Sequence, residues 1–202
     1  MSGRTLPAAL ADKLNAAAAR FAVSFDDVRM DDIATDSGIP RATLYYYFAG
    51  KDDVLAFLLR AMLDDLRVSV DTALQVDGDT HTRLHAVVRA QLAHLAANPA
   101  GAQLLLMNLG RAGRIGVIAA GIDAGFHVPV RKILADGVAA GELIDLDIDM
   151  TATAIYGAVT IVGIQALVTT GGLDVDRVAD RLFPLFWSGV AAPRPKGRRV
   201  KR

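Results

Sequence analysis

The sequence predicts an all-α protein, and three observations carry that prediction. Its strong apolar periodicities recur at i, i+3, i+4 and i+7; no run alternates with the two-residue period of a half-buried strand; and Gly, Pro and Asn-Pro fall between the periodic segments. With 202 residues, 52% of them hydrophobic, the chain can bury a sizeable core, as one compact body or two small ones. It contains no cysteine, which excludes disulfides and thiolate metal sites and agrees with a reducing, cytoplasmic setting. The start, MSGRTLPAALADK, lacks a basic stretch followed by an apolar one, so no secretion signal is expected.

The first helix is expected from Ala8 to Phe21, with Leu10, Leu14, Ala17, Ala18 and Phe21 on one face. A short helix from Met30 to Ser37 follows, Gly38 supplies a turn, and Pro40 opens the segment PRATLYYYF, where a fixed φ and a missing N–H do no harm. Gly50 ends that unit. From Lys51 the run KDDVLAFLLRAMLDDLRVSVDTALQ sets Val54, Leu55, Leu58, Met62 and Leu66 on one stripe, with Asp52 and Asp53 at the positive helix end. VDGDT breaks this helix. Another runs from Thr80 to Ala97 and is stopped by Asn98-Pro99, a shorter one reaches Leu109, and GRAGRIG connects to a longer helix ending near Ala140 and kinked at Pro129. The last two helices run from about Asp149 to Thr170 and from Asp174 to Val190, ahead of a Pro-rich tail expected to be disordered.

Charge balances to zero, but the tail PRPKGRRVKR holds six basic residues, so residues 1–193 carry 16 basic against 22 acidic side chains. A nucleic-acid reading must therefore rest on local geometry rather than on a broadly basic surface. The stretch TATAIYGAVTIVGIQALVTT, Thr151 to Thr170, is uncharged over twenty residues and long enough to span a bilayer. It lacks the Lys/Arg asymmetry and aromatic belts of a span, and it reads as a helix buried on all sides, with no membrane insertion. Its Ala/Gly/Thr-rich surface, with Gly157 and Gly163 allowing close approach, points to a homodimer interface built with the final helix as a four-helix bundle.

Two short helices joined by a tight Gly-containing turn, the second bearing exposed polar and aromatic groups, have the layout of a helix-turn-helix. Here it is MDDIATDSGIPRATLYYYF. Ile33 and Ala34 face inward, Ile39 plugs the turn, and Leu44 and Phe48, four apart, anchor the second helix. That leaves Ala42, Thr43 and Tyr46 outward, with Tyr45 and Tyr47 on the flanks. Hydroxyls bond phosphate oxygens, Arg reads guanine O6/N7, and Thr methyl and aromatic faces meet thymine methyl groups.

With its flanks, DDIATDSGIPRATLYYYFAGKDDVL resembles the DNA-binding segment of TetR-family (tetracycline-repressor-like) transcriptional regulators over about residues 8 to 60. The resemblance rests on Asp-Ile-Ala in the second helix, the Ser-Gly-Ile turn, Thr-Leu-Tyr with the following aromatic-Phe, and the Lys that starts the fourth helix. It implies that Arg41, Ala42, Thr43 and Tyr45 approach base edges, while Tyr46, Tyr47 and Lys51 hold phosphates. Where the family has Thr or Ser at the start of the second helix, this chain has Val28-Arg29; Asp27 is available as the cap and Arg29 as the phosphate contact. Asp26, Asp27, Asp31, Asp32 and Asp36 add negative charge beside the phosphate track, so affinity is expected to be modest and strongly salt-dependent.

The implied organisation is a helix-turn-helix DNA-binding domain over 1–50, a helical ligand-binding and dimerisation domain over 51–192, and a basic tail over 193–202. The implied function is a homodimeric regulator, a repressor released from a palindromic double-stranded DNA operator by a mainly apolar small-molecule effector. Candidate effector contacts are His94, Met107, Asn108, Arg111, Phe126, Tyr156, Thr160 and Gln165, with Gln91 and His127 as further buried polar groups. His81 and His85, four apart behind Asp77 and Asp79, have metal-chelating spacing but sit at a solvated helix end, so no metal or other cofactor is expected. GRAGRIG, with Arg111 and Arg114, offers a weak phosphate-cradle signal. No GxSxG, P-loop, HExxH or dinucleotide fingerprint occurs, and the chain does not read as an enzyme. The alternatives are a lipid or small-molecule binding protein with weak or no specific DNA binding, and an architectural DNA-binding protein with no ligand.

Overall fold

A computed structural model of the chain describes residues 6–21, 27–108, 110 and 115–192. The helices are α1 (Ala8–Phe21), α2 (Met30–Ser37), α3 (Arg41–Tyr47), α4 (Lys51–Ala73), α5 (Thr80–Ala97), α6 (Pro99–Met107), α7 (Gly116–Ile122), α8 (Val128–Ala139), α9 (Ile148–Thr170) and α10 (Val175–Val190). Among the described residues the only strand-like pairing is an isolated bridge between Leu143 and Ala191. It is flanked by Ile144 N–H donating to Val190 O at 2.9 Å and Ala192 N–H donating to Glu142 O at 2.9 Å, which fasten the end of α10 to the α8–α9 connection. The protein is all-α, with a helix-turn-helix at its N-terminal end.

Local chemistry sets most helix ends. Asp79, Asp147 and Asp174 each accept a backbone N–H from the residue three further on, at 2.9, 2.9 and 3.1 Å, capping α5, α9 and α10. Those bonds to Thr82 hold the Asp79 carboxyl below its usual range. Gly38, at φ 62°, takes the left-handed conformation that ends α2, and Ile39 N–H closes back on Ala34 O at 3.1 Å. The expected cap of α2 differs: Arg29, not Asp27, occupies the N-cap position, and Asp32 accepts the Arg29 N–H at 2.8 Å. A carboxylate three residues inside the helix reaches back to the cap more directly than one outside it.

Near the kink expected at Pro129 the hydrogen-bond register of the helix changes. α7 and α8 run on through a π turn at Asp123–His127, in which Val128 N–H bonds Asp123 O. Proline lacks the N–H that would bond residue 125, and widening the preceding turn takes up the defect. α10 likewise continues through Pro184, which lies on its exposed side.

α5 is the central helix, packed against α4, α6, α8, α9 and α10, while α1 packs on α2, α4 and α6. One continuous apolar core therefore runs from Leu14 on α1 to Phe183 on α10. α9 is not buried on all sides. Ala152, Ile155, Tyr156, Val159, Thr160, Gly163 and Ile164 face the core, whereas Met150, Ile161, Val162 and Val168 are exposed. It is long and apolar enough to cross a membrane by length and composition. The two glycines expected to serve a common outer surface separate: a Cβ on Gly157 would meet open space, whereas one on Gly163 would lie 2.7 Å from Leu95 Cδ1 inside the core.

A second close approach makes a test of the packing. A Cβ at Gly137 would meet Thr80 Oγ1 at 2.7 Å, Thr80 Cγ2 at 2.8 Å and Leu143 Cδ1 at 2.9 Å. Gly137→Ala should therefore destabilise the fold by about 1–3 kcal/mol in urea unfolding, against the usual gain from Gly→Ala in a helix.

Candidate functional site

α2 and α3 are clamped by Ile33, Ile39, Leu44 and Phe48, all buried. Phe48 ends α3 with its N–H on Leu44 O at 2.8 Å and its ring 5.7 Å from that of Phe57 on α4. With Leu44 turned inward, helical geometry turns the rest of the segment outward. Tyr45 and Tyr46 are 47% and 53% exposed, Arg41 and Ala42 are exposed, and Thr43 and Tyr47 are half-buried. Tyr46 and Tyr47 meet edge to face at 5.0 Å. Six of the expected DNA-contacting residues thus form one surface. Lys51, at the start of α4, donates from Nζ to Val28 O at 3.2 Å and braces the entry to α2, beside the exposed Arg29.

The acidic groups of α2 are less bare than composition implies. Asp32 caps its own helix, Asp36 pairs with Arg20 at 3.5 Å, and Asp31 pairs with Arg41, Nε to Oδ1 at 2.9 Å and Nη1 donating to Oδ2 at 3.0 Å. The Arg41 guanidinium also stands 5.4 Å from the Tyr45 ring centroid. The Asp31 partnership has a sequence signal only in hindsight, an acid at the start of α2 and a base at the start of α3.

The expected effector contacts do not gather in one place. Phe126 is wholly buried, 5.2 Å from the Tyr156 ring, which also meets His127 at 5.2 Å. One turn along α9, Thr160 accepts a hydrogen bond from Gln91 Nε2 at 2.7 Å. Burial pushes the Tyr156 hydroxyl up to about 12. This inner cluster joins α5, the π turn and α9, and among the described residues Gln91 Oε1 and His127 Nε2 are buried in it without a hydrogen-bond partner. His94 points elsewhere, into a cleft of about 570 Å³ between α4 and α5 that Asp65 and Asn98 also line. Met107 is 56% exposed and Gln165 is exposed, because both lie on the outer faces of their helices. Asn108 is buried but spends its amide on Leu104 O at 2.9 Å. Arg111 and Arg114 lie outside the described residues, as do the tail and the Phe21 side chain.

His81 and His85 stack at 6.3 Å and turn their edges to Phe183 at 4.9 and 4.8 Å, so they serve the α5–α10 contact. No group of three or more metal-ligating side chains occurs among the described residues. Burial lowers the pKa of His85, His94 and His127 below the ordinary value near 6.5. The unfolded chain then binds more protons, so the stability tied to these neutral rings is present above about pH 6.5 and is lost as pH falls below it. Urea midpoints should drop as pH falls below about 6.5, and His94→Gln should flatten that drop.

Residues 14–57 match the family described as bacterial regulatory proteins, tetR family. No curated protein matches the chain. Among solved structures, the ketosteroid transcriptional regulator KstR2 of Mycobacterium tuberculosis is similar at a TM-score of 0.73 and 21% identity, covering 94% of this chain and 98% of that one. The fatty acid degradation regulator FadR from Bacillus halodurans is similar at 0.75 and 19%, covering 91% and 96%. The transcriptional regulator FadR from Bacillus subtilis, solved in complex with stearoyl-CoA, is similar at 0.71 and 19%, covering 88% and 98%. At these identities the structural likeness establishes the fold, and the matched segment coincides with the helices that build the exposed face of α3. The chain thus carries, over residues 14–57, a segment that matches the tetR family of bacterial regulatory proteins, on a fold shared with these regulators.

Proposed function

We propose that the protein is a ligand-responsive repressor that binds a palindromic operator as a homodimer and is released by a mainly apolar small molecule. The observation that carries the reading is the exposed face of α3, fixed to the core through Leu44 and Phe48 and carrying hydroxyl, guanidinium and aromatic groups together. Arg41, Ala42, Thr43 and Tyr45 meet base edges; Tyr46, Tyr47, Lys51 and Arg29 hold phosphates. Residues 1–50 act as the DNA-binding unit and 51–192 as the effector and dimerisation unit, in the cytoplasm. The basic tail adds nonspecific attraction.

Binding selections from random duplexes test the reading. Half-sites should recur about one helical turn, or a multiple of it, apart. Lys51→Ala should weaken all sequences nearly uniformly and reduce the salt slope by about one, whereas Arg41→Ala should cost about 1–3 kcal/mol and relax preference at one position. If selections with Arg41→Ala, Thr43→Ala, Tyr45→Ala and the intact protein returned the same preference, α3 would not read DNA and lipid binding would become the better account.

The effector site is read at the cluster of Phe126, His127, Tyr156, Thr160 and Gln91. Large apolar surface there surrounds a few polar groups, two of them with no partner among the described residues, which is the composition of a site that accepts an apolar molecule with a polar end. Two of the similar regulators are named for fatty acid degradation or were solved with an acyl thioester, which supports a long-chain acyl compound as the first probe. Such a compound should weaken operator binding, and operator DNA should weaken its binding by the same factor.

A further inference from the structure

We infer that Asp31 is a positioning residue for sequence reading: it holds the Arg41 guanidinium at the N-terminal end of α3 so that Arg41 addresses a base edge rather than the phosphate backbone. The inference rests on the reading of α3 as the DNA-contacting helix and concerns a residue outside its exposed face.

The pair is close and has two contacts, Nε to Oδ1 at 2.9 Å and Nη1 donating to Oδ2 at 3.0 Å, although the Arg41 side chain is 63% and the Asp31 side chain 47% exposed. Ion pairs this exposed add little to stability. Nor are α2 and α3 in need of it, because Ile33, Ile39 and Leu44 already join them. What the pair fixes is the place of a long side chain with many rotamers. Asp31 holds one side of the guanidinium, and its central carbon lies over the Tyr45 ring, 5.4 Å from the centroid, which gives a second guide. Arginine has five N–H donors, so engagement by Asp31 leaves others for an acceptor pair such as guanine O6 and N7.

Charge makes the same point. A free arginine beside DNA is drawn to any phosphate, and phosphate contacts carry no sequence information. Paired with Asp31, Arg41 is nearly neutral at a distance, and the carboxylate repels the backbone. What remains favourable is a directional bond to a base edge placed where the N-terminal residues of a reading helix enter the major groove. Asp32 and Asp36 have other engagements, with the Arg29 N–H and with Arg20, so among the acids of α2 this function falls to Asp31.

The test measures affinities of the full-length protein for its selected operator, for operators changed at each position, and for unrelated duplex. Arg41→Ala first identifies the base pair that depends on Arg41. Asp31→Asn should then reduce discrimination at that pair about tenfold and raise affinity for unrelated duplex, with other positions unchanged. In an Arg41→Ala background, Asp31→Asn should alter discrimination at that pair by less than about twofold. Asp31→Glu keeps the charge and moves the carboxylate; it should lose discrimination at the same pair with an unchanged salt slope, an effect that neither charge nor a folding defect produces. Circular dichroism checks that the variants fold. If Asp31→Asn strengthened all sequences by one common factor, or if Asp31→Glu kept full discrimination, the positioning role would be overturned while the reading of α3 stood. If Arg41→Ala left every preference intact, both would fall together.

Discussion

Leu185→Asp is expected to convert the protein to a monomer at micromolar concentration and to lower operator affinity by about a hundredfold or more. Leu185 is 71% exposed, an unusual place for a leucine on a helix whose inner face is already filled by Ala179, Leu182 and Phe183. Beside it, Val162, Val178 and Leu182 line a cleft of about 330 Å³ between α9 and α10, rimmed by Arg177 and Arg181. Exposed Ile161 and Val168 extend the apolar surface along α9. A second copy would cover it, and across a twofold axis each substitution acts twice, bringing a desolvated carboxylate into each half of the interface. The monomer should stay folded, since Leu185 contributes little to its own core. Loss of the second half-site then removes the effective-concentration gain of bivalent binding. Sedimentation and fluorescence anisotropy on a full operator and a half-site separate the two effects. A wild-type monomer, or equal loss on full and half-sites, would refute the interface.

Phe126→Ala should cost about 3–5 kcal/mol in urea unfolding, a large share of the about 5–15 kcal/mol that holds a domain of ordinary stability together. Phe126 is fully buried in the π turn and packs on Tyr156, so truncation loses the transfer energy of the ring and leaves a void. The walls are anchored by the Gln91–Thr160 hydrogen bond and by Arg131, which bridges Asp123 at 2.8 Å and Asp149 at 3.3 Å, so collapse should be incomplete. A small arene should bind the void and recover part of the lost melting temperature. By contrast, Met107→Ala, at an exposed site, should change stability by less than about 0.5 kcal/mol. Near-equal effects of the two substitutions would mean that the inner cluster is not the packed centre of this half.

The helix boundaries were legible because capping acids, glycines and prolines act locally: Asp79, Asp174, Gly38 and Pro99 mark ends that depend on a few neighbouring bonds. The inward set Ile33, Ile39, Leu44 and Phe48 was legible for a related reason, since a short helix has one apolar stripe and must bury it. Other features depend on distant partners. The π turn answers Pro129 through a change of hydrogen-bond register that composition does not encode. α9 looks apolar all round, and only its neighbours divide it into a face against α5 and a face left open. The candidate effector residues failed to gather for the same reason: polar residues in apolar helices announce that partners exist, but Asn108 found its partner in its own helix, His94 faces α4, and only Tyr156 and Thr160 share a cluster with Phe126. In the sequence Asp31 is one more negative charge, and its meaning depends on where Arg41 reaches.

α4 contains neither glycine nor proline and runs 23 residues without interruption, so it acts as a stiff lever of about 35 Å. One end begins at Lys51, beside the reading helix, and the other lies along α5 and the π turn. A pivot of about 5° near its middle sweeps each end through about 1.5 Å, set by that length. In a twofold pair the excursions add to about 3 Å between the two reading helices, against a fixed groove repeat of about 34 Å. Under the proposed function, a change too small to break any helix at the inner cluster would thus become a mismatch of span that rigid duplex DNA does not follow.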